Sequence, residues 1–496
     1  LLYYDEFECN NPLGSHAGIQ NICAMYMSFP IFPPEEQAKL SRIFVLMLAY
    51  SLDRKVFGNN IFKPAVSILK QLEEGIECCG LKIYFALVGC LGDNKGLNEI
   101  LGFSESYSAI YFCRLCKMDK KATQISCTCE ENVMRTRENY KEDLKKGVKK
   151  SGIKSISVLN EIKSYHVTEN YIVDSMHDLA EGILKFEISL VLHDLIYKDH
   201  INSEFTLANL NTRIKFFDYG PSHNCNKPPT ILKQSLENNT LKMSASEVLT
   251  FTKFLGLIIG DWIPESNEKW QMLCILIQIV EIIESDTVTN ETPRILKSLI
   301  EEHHEIFKDI FKKPLKPKHH LLCHYPWIIE KMGPVKQFNV RRFEAKHKVA
   351  KDIAKATTSR RNICKTIMDR LMLSSVNEDF ITDFDISVEL TKEIIIENRK
   401  YYKKIKINGN DVQGRIIKNH YQNNYPQFCK ILGFIKFDII QKSLSCVVTN
   451  FDTQFYDFHR MSYVVEKKND FEFVIIRIKD LFSRLCIVNL HEIYVV

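Results

Sequence analysis

The pattern of apolar residues changes twice along this chain, and these two changes limit the folds that it can adopt. Residues 1–116 contain short apolar runs of strand length and one segment of helical spacing. Residues 117–330 contain long amphipathic segments, at 176–197, 205–217, 245–261, 268–284, 293–312 and 317–332. The sequence therefore predicts a mixed α/β fold in which an all-α insertion interrupts a sheet domain.

The first part of the chain predicts a small mixed sheet flanked by helices. Apolar runs indicate strands at residues 1–5, 17–29, 42–50 and 83–90, although the run 42–50 is also consistent with a short helix. Residues 63–79 carry apolar side chains at helical spacing. After the insertion, residues 331–380 return to the core as a helix that begins near Val340. Residues 390–496 return to strands and predict a small β-barrel or sandwich domain.

Composition excludes several classes of protein. The hydrophobic fraction of 45% is too high for a disordered chain, and no apolar run approaches the roughly 20 residues of a membrane helix. A net charge of +5 excludes a polybasic protein but permits local basic faces. The 16 cysteines, without a secretory signal, indicate reduced thiols or metal ligands. Because the chain begins at Leu1 without an initiator methionine, we interpret it as a fragment of a longer protein.

Three acidic residues stand where carboxylates from distant segments can meet. Asp5 ends the first predicted strand, Asp93 follows the strand 83–90, and Glu344 lies on the helix near Val340. Two Mg²⁺ or Mn²⁺ ions, which prefer oxygen ligands, can hold the attacking and leaving oxygens of a phosphodiester. Together the acids predict such a two-metal site. Taken one at a time, each is more often a turn residue or a solvent-facing helix residue.

The motif Cys113-Arg114-Leu115-Cys116 has the two-residue gap with which two thiolates bind one Zn²⁺. A tetrahedral site needs two further ligands. His320 and His324 lie four residues apart on one face of a predicted helix, and His319 is a substitute ligand. The alternative is a pair of buried thiols with histidines on the surface.

Asp174 and His177 form a third feature, before a long amphipathic helix. We interpret Asp174 as the residue that caps this helix by accepting hydrogen bonds from its free backbone donors. The alternative is a secondary metal ligand or a polar pair that faces DNA.

The helix that begins near Val340 is strongly basic around Glu344. Nine cationic residues stand between positions 341 and 365, against two acidic ones, and this excess suits a phosphate backbone. The alternative is a solvated charged face. The candidate DNA-contacting residues are Arg341, Arg342, Lys346, Lys348, Lys351, Arg360 and Arg361.

Several of these segments resemble the motifs of CACTA (En/Spm)-like DDE transposases, in the same order along residues 1–375. The resemblance rests on Asp5-Glu6-Phe7-Glu8 with residues 11–15, Gly92-Asp93-Asn94, the Cys113–Cys116 motif, residues 173–177, His320 with His324, Gly333-Pro334 and Phe343-Glu344. The recombinase that assembles antigen-receptor genes has the same order of parts and is a more distant relative of these transposases.

The resemblance implies a ribonuclease H-like catalytic core interrupted by a helical insertion. It implies that Asp5, Asp93 and Glu344 bind two Mg²⁺ ions, and that Cys113, Cys116, His320 and His324 bind a structural Zn²⁺. It also implies that Asp93, rather than Asp174, is the second catalytic acid. The family's DNA-binding module is expected upstream of this chain.

The expected function is that of a DDE-type DNA transposase catalytic region, acting in the nucleus on transposon ends and target DNA. A homodimer is the expected assembly. The alternative is a domesticated, catalytically inactive, zinc-containing DNA-binding or scaffold protein on the same fold. A third interpretation is a host nuclease of ribonuclease H type. No membrane partner is expected.

Overall fold

The computed structural model describes residues 1–9, 21–32, 34–37, 39–220, 223–359, 361–378, 388–396, 399–407, 410–411, 415–422, 425–438, 443–470, 472–477, 485–486, 488–489 and 494–495. The chain divides into two compact units. Unit 1 comprises Leu1–Ile183 and Gln278–Thr382, and unit 2 comprises Leu184–Ile277 and Asp383–Val496. The predicted insertion 117–330 thus contributes its first and last parts to unit 1 and its middle part to unit 2.

The strands of unit 1 form two sheets. They are β1 (Leu2–Glu8), β2 (Asn21–Met27), β3 (Phe44–Tyr50), β4 (Ile76–Cys78), β5 (Leu81–Ile83) and β6 (Cys90–Leu91). The main sheet has the order β3-β2-β1-β6. β1 is antiparallel to β2, and its neighbour on the other side, β6, is parallel to it with Leu2 opposite Cys90. Parallel neighbours need a long crossover, and residues 9–89, which include β2 and β3, separate β1 from β6 in the sequence.

The predicted strand 83–90 is wrong over most of its length. Only Cys90–Leu91 joins the main sheet, while Leu81–Ile83 pairs with Ile76–Cys78 in a separate hairpin. The two residues of the turn, Cys79 and Gly80, both have positive φ (51° and 77°), as a tight hairpin turn requires. The apolar run therefore mixes a hairpin strand, an extended connection and a short core strand, which periodicity alone does not separate.

The helices fill most of the chain between the sheets and confirm the helical block. The α-helices are α1 (Pro34–Gln37), α2 (Ser51–Phe57), α3 (Lys63–Glu74), α4 (Asn94–Ile100), α5 (Lys120–Ile125), α6 (Arg137–Lys146), α7 (Val148–Ser151), α8 (Lys185–Tyr197), α9 (Leu207–Phe216), α10 (Lys233–Glu237), α11 (Ala245–Ile259), α12 (Glu268–Ile283), α13 (Thr292–Phe311), α14 (Pro317–Leu322), α15 (Tyr325–Met332), α16 (Arg341–Lys355) and α17 (Ile363–Glu378). A π-helical segment, Met176–Leu184, precedes α8. Short 3₁₀ helices span Leu40–Arg42, Gly58–Phe62, Glu131–Val133, Val158–Glu161, Asn224–Asn226, Gly260–Trp262 and Val335–Phe338.

Residues 317–332, predicted as one amphipathic segment, form two helices. α14 and α15 each carry a proline in the first turn, at Pro317 and Pro326. Proline is favoured there because it has no backbone N–H to donate and fits the φ of a helix start. The break leaves Cys323 and His324 at the junction of the two helices. None of the described helices combines the length and apolar character that a membrane span requires.

The described strands after residue 387 form one antiparallel sheet, which confirms a β-rich C-terminal region. They are β7 (Val388–Ile396), β8 (Arg399–Ile407), β9 (Asn410–Asp411), β10 (Ile416–Gln422), β11 (Tyr425–Asp438), β12 (Ser443–Asp457), β13 (Ser462–Lys467), β14 (Glu472–Arg477), β15 (Leu485–Cys486), β16 (Val488–Asn489) and β17 (Tyr494–Val495). β12 pairs with β11, β13 and β14. Closure into a barrel or sandwich stays a prediction.

The two faces of β1 determine where the functional side chains point. Leu2 and Tyr4 belong to the buried apolar core, which also contains Phe62 and Val66 beside and within α3. Tyr3 faces the other way and stacks on Phe343 of α16, with ring centroids 4.8 Å apart. Because side chains alternate along a strand, Asp5 and Phe7 share the face of Tyr3. α16, which carries Glu344, therefore packs on the face of β1 that presents Asp5.

Candidate functional site

Two centres of functional side chains lie in unit 1, and the first is a group of acids. Asp5 lies on β1, where its Oδ2 accepts a hydrogen bond from Tyr3 Oη (3.1 Å) and lies 3.3 Å from His347 Nε2. Its Oδ1 accepts from the backbone N–H of Glu6 at 2.7 Å. Burial opposes ionisation of Asp5, but these hydrogen bonds outweigh it and lower the pKa of the carboxyl below its usual value.

His347 was not singled out from the sequence, yet it fixes the first acid. It lies on α16, is buried, and its Nδ1 is 3.2 Å from Tyr26 Oη. Its ring packs against Phe7 with centroids 4.7 Å apart. A signal was available, because His347 stands three residues after Glu344 and so lies on the same face of the helix.

Asp93 reaches β1 through a close backbone approach. A Cβ at Gly92 would lie 2.4 Å from Tyr4 O, so the glycine is what allows β6 to end beside β1. Asp93 is the N-cap of α4, and its Oδ1 accepts from Gly96 N–H at 2.5 Å. Burial raises the pKa of Asp93, and the charge of Asp5 adds to this, although the hydrogen bond from Gly96 opposes both.

Glu344 is the most perturbed of the three acids. The pKa of its carboxyl is raised to about 7. Burial is the largest cause, the charges of Asp5, Asp174 and Glu181 add to it, and His177 acts to lower it. Glu344 Oε1 lies 3.5 Å from His177 Nε2.

Asp174 both caps a helical segment and forms a polar pair with His177. Asp174 Oδ1 accepts from the backbone N–H groups of Met176 (3.1 Å) and His177 (3.3 Å), so Asp174 caps the π-helical segment. Its Oδ2 pairs closely with His177 Nδ1. Burial opposes protonation of His177, but its hydrogen bond to Asp174 and the charges of Asp174 and Glu344 raise its pKa to about 9. His177 therefore lies between Asp174 and Glu344, whose carboxylates favour its protonated form.

The three acids predicted from the sequence are electrostatic neighbours. The charge of Asp5 raises the pKa of both Asp93 and Glu344, which requires that all three carboxyls share one region. The ligand atoms of these acids are further apart than those of the second centre, which is described next. Among the described residues, only the second centre brings three or more His, Cys, Asp or Glu ligand atoms within 4.8 Å of one another.

The second centre is a buried cluster of Cys113, Cys116, His320 and His324. Cys113 Sγ lies 3.5 Å from His324 Nε2, and Cys116 Sγ lies 3.3 Å from His320 Nε2. The two Nε2 atoms are 3.3 Å apart. Tetrahedral zinc, with bonds of about 2.3 Å to sulfur and about 2.0 Å to nitrogen, needs roughly 3.3 Å between nitrogens and roughly 3.5 Å between nitrogen and sulfur. The cluster therefore fits a metal ion such as zinc.

The cysteine turn is held by the surrounding chain. Cys113 Sγ accepts from Leu115 N–H at 3.4 Å. The buried guanidinium of Arg135 donates to Cys113 O (3.1 Å) and to Ser151 O (2.7 Å). Burial lowers the pKa of Arg135, and the nearby cysteines and Asp143 oppose that effect. Such contacts to the ligand-bearing backbone orient the thiolates before an ion binds.

His319, the predicted substitute ligand, lies outside the cluster. Its Nδ1 accepts from Lys316 N–H at 2.9 Å, at the start of α14. His319 and His320 are one residue apart and thus about 100° apart around a helix, so only one of them can face the cysteines. In the structure that residue is His320.

The basic helix presents fewer cations to solvent than its sequence indicates. Lys346 is buried, and its Nζ donates to Leu40 O at 2.8 Å, so its expected contact with DNA is wrong in this structure. Arg341 pairs with Glu284 Oε2 at 2.6 Å. Lys351 is half-buried, with Nζ 6.0 Å from the ring centre of Phe7. The exposed candidates are Arg342, Lys348 and Arg361. Arg360 and the motif residues 11–15 lie outside the described part of the chain.

Comparison with known proteins assigns no family. No model of a known protein family matches this chain, and its sequence matches no curated protein. The geometry of the two centres therefore has to carry the functional argument.

Proposed function

We propose that this chain is the catalytic region of a DDE-type DNA transposase, which cleaves a phosphodiester and transfers the resulting strand end. The observation that carries the proposal is the placement of the three acids: Asp5 on β1, Asp93 just past the parallel β6, and Glu344 on α16, which packs on the face of β1 that presents Asp5. The sheet register supports it. Contrary to the sequence prediction, Asp5 does not end its strand but lies in the middle of β1, and the parallel pairing of Tyr3 with Leu91 brings Asp93, just past the end of β6, level with it. That arrangement is the one expected of the ribonuclease H-like core that the resemblance implies.

The acid centre suits hard divalent cations. Its carboxyls are half-buried: loss of solvent raises the pKa values of Asp93 and Glu344, and the charge of Asp5 raises both further. Asp5, Asp93 and Glu344 would hold Mg²⁺ or Mn²⁺, which prefer such oxygen donors. The bound ions would supply Lewis-acid activation of the nucleophile and stabilise the leaving oxygen.

The neighbouring side chains orient each acid before any ion binds. His347 and Tyr3 hold the Asp5 carboxylate, the backbone of α4 holds Asp93, and His177 holds Glu344. Fixed ligands lose less freedom on binding, so the ions and the DNA phosphate would meet a preformed site. We propose structural Zn²⁺ at the second centre, where it would link the cysteine turn to the junction of α14 and α15.

The proposed partner is DNA, both transposon ends and target, in the nucleus, with a homodimer as the assembly that acts on two ends. Arg342, Lys348 and Arg361 would contact phosphates, which positions DNA without reading its sequence. The second candidate function is a domesticated, inactive DNA-binding or scaffold protein. The observation that favours it is the diversion of Lys346 and Arg341 into internal contacts, which leaves fewer cations for DNA.

The test compares two helix-capping aspartates. Asp93 caps α4, and Asp119 caps α5 by accepting from Ala122 N–H at 2.9 Å. Asparagine caps helices about as well as aspartate, so Asp93→Asn and Asp119→Asn both keep their caps while losing one charge. Strand nicking of duplex DNA by the zinc-loaded full chain is measured with Mg²⁺ or Mn²⁺, beside an RNA–DNA hybrid.

We expect Asp93→Asn to nick duplex DNA at least about 100-fold more slowly, since even outer-shell partners of a metal contribute 10–100-fold. Asp119→Asn should nick at the wild-type rate. Equal rates in both variants would remove Asp93 from the site. A wild-type protein that binds zinc and DNA but never nicks would support the inactive alternative, and preference for the hybrid would indicate a nuclease.

A further inference from the structure

Four buried polar residues, called the relay below, lie between the acid centre and the cysteine–histidine cluster. Each of them directly follows, in the sequence, a residue of one of the two centres. The relay consists of Asn94 after Asp93, Arg114 after Cys113, Asp178 after His177, and Tyr325 after His324. None of them was singled out from the sequence, because polar residues beside a motif are normally exposed.

The relay is a continuous chain of hydrogen bonds. Arg114 donates through one terminal nitrogen to Asn94 Oδ1 at 2.7 Å and through the other to Ile172 O at 3.2 Å. Asn94 Nδ2 donates to Asp178 Oδ1 at 2.7 Å. Tyr325 Oη donates to Asp178 Oδ2 at 3.1 Å. Both oxygens of Asp178 are thus engaged, each by a residue from a different segment of the chain.

Burial makes this series of hydrogen bonds stiff. The exposed fractions are 7% for Asn94, 4% for Arg114 and 0% for Asp178 and Tyr325. A buried polar group that loses its partner carries the full cost of desolvation, so each member strongly disfavours any movement that breaks its bond. Displacement of one end is therefore transmitted to the other.

Each relay residue is bonded through the backbone to a residue of one of the two centres, so the stiffness of the relay extends into both centres. Arg114 lies between the two cysteines of the cluster, so its guanidinium moves with the cysteine turn. Asn94 is the first residue of α4, whose N-cap is Asp93. Asp178 lies in the π-helical segment that Asp174 caps, beside His177, which contacts Glu344. A change in the cysteine turn therefore reaches two of the elements that orient the acids.

We propose that the relay couples the two centres, with Asn94, Arg114, Asp178 and Tyr325 as positioning residues for the acids. Occupancy of the cysteine–histidine cluster by a metal fixes Arg114 and Tyr325, and through them sets the affinity of the acids for divalent ions. The coupling is reciprocal, because binding free energies at two linked sites must affect each other equally. The inference rests on the proposed function, since it takes the acids to bind divalent ions.

The principal variant is Tyr325→Phe, which removes the hydroxyl that reaches Asp178 and keeps the packed ring. Its matched control is Tyr171→Phe. Tyr171 is also buried and donates its hydroxyl to Arg135 O, at 2.5 Å, beside the same cysteine turn but outside the relay. Arg114→Lys is a second variant, which keeps the charge but loses the fork that engages both Asn94 and Ile172.

Mn²⁺ affinity of the zinc-loaded full chain is measured by electron paramagnetic resonance, together with its zinc content. We expect Tyr325→Phe and Arg114→Lys to keep zinc and to bind Mn²⁺ roughly tenfold more weakly, the loss typical of outer-shell partners of a metal site. Tyr171→Phe should match the wild type. With Co²⁺ in the cysteine–histidine cluster, saturating Mg²⁺ should shift the visible absorption of the wild type but not that of Tyr325→Phe.

Two results would overturn the inference. If the wild type binds Mn²⁺ and both relay variants bind it equally well, or no more weakly than Tyr171→Phe does, the relay is refuted while the proposed function stands. If the wild type itself binds no Mn²⁺ at the acids, the proposed function fails and the inference fails with it.

Discussion

Removal of one cysteine ligand tests whether the cysteine–histidine cluster links distant parts of unit 1. Cys116→Ala removes the thiol that lies 3.3 Å from His320 Nε2, across a separation of 204 residues. Its control is Cys90→Ala, which removes a thiol that is also buried but belongs to the apolar core of the main sheet. Both variants lose packing, and only the first loses a predicted metal ligand.

The expected magnitude follows from the length of the loop that the metal would close. A cross-link between residues about 200 positions apart removes chain entropy from the unfolded state worth roughly 5 kcal/mol at 25 °C in the loop-closure model. Since each 1.4 kcal/mol is a factor of ten, the amide groups protected by this link should exchange roughly 10³–10⁴-fold faster without it.

Hydrogen exchange followed by mass spectrometry measures the loss of protection locally. The unfolding of the two units therefore need not be treated as a single transition. We expect Cys116→Ala, or the wild type after chelation, to lose metal and to lose protection around residues 113–135 and 317–332. Cys90→Ala should keep one equivalent of zinc. If Cys116→Ala binds zinc as tightly as the wild type, or if chelation leaves exchange unchanged, the cluster does not hold a metal that links these segments.

Two further predictions concern β6 and the basic helix. Gly92→Ala would place a Cβ 2.4 Å from Tyr4 O, so we expect β6 to separate from β1 and the protein to be destabilised by more than about 2 kcal/mol, measured by chemical denaturation. A denaturation midpoint equal to that of the wild type would show that the close approach of Gly92 to Tyr4 O is not needed. Lys348→Gln should reduce the salt dependence of DNA binding by about one unit of slope, whereas Lys355→Gln should not, because Asp352 already lies 3.5 Å from its Nζ. Equal slopes in the two variants would exclude Lys348 from the DNA contact.

Much of the secondary structure was predictable because it depends on patterns among neighbouring residues. β1, β2, β3 and α3 follow apolar runs and helical spacing, and most of the described C-terminal strands lie in the segment 390–496 that was predicted to return to strands. The cysteine turn was recognisable because two ligands three positions apart can reach one ion in almost any fold. These features depend on neighbours in the sequence, so the sequence by itself determined them.

Which side chains surround the acids depends on packing between elements that are distant in the sequence. His347 and Tyr3 meet Asp5 only because α16 docks on one face of β1, and no local pattern encodes that docking. The same docking turned Lys346 towards Leu40 O and away from solvent. A count of charges along a helix cannot distinguish a residue on the buried face from one on the exposed face until the partner of that helix is known.

The choice between His319 and His320 shows the same limit at the second centre. Both are histidines on α14, and the sequence allowed either as a ligand. Which one faces Cys116 is set by the rotation of α14 about its axis, and one residue changes that direction by about 100°. The sequence by itself thus determined which elements form and which residue types can bind a metal. The tertiary structure decided which of those residues meet, because side-chain direction is fixed only when helices and strands pack.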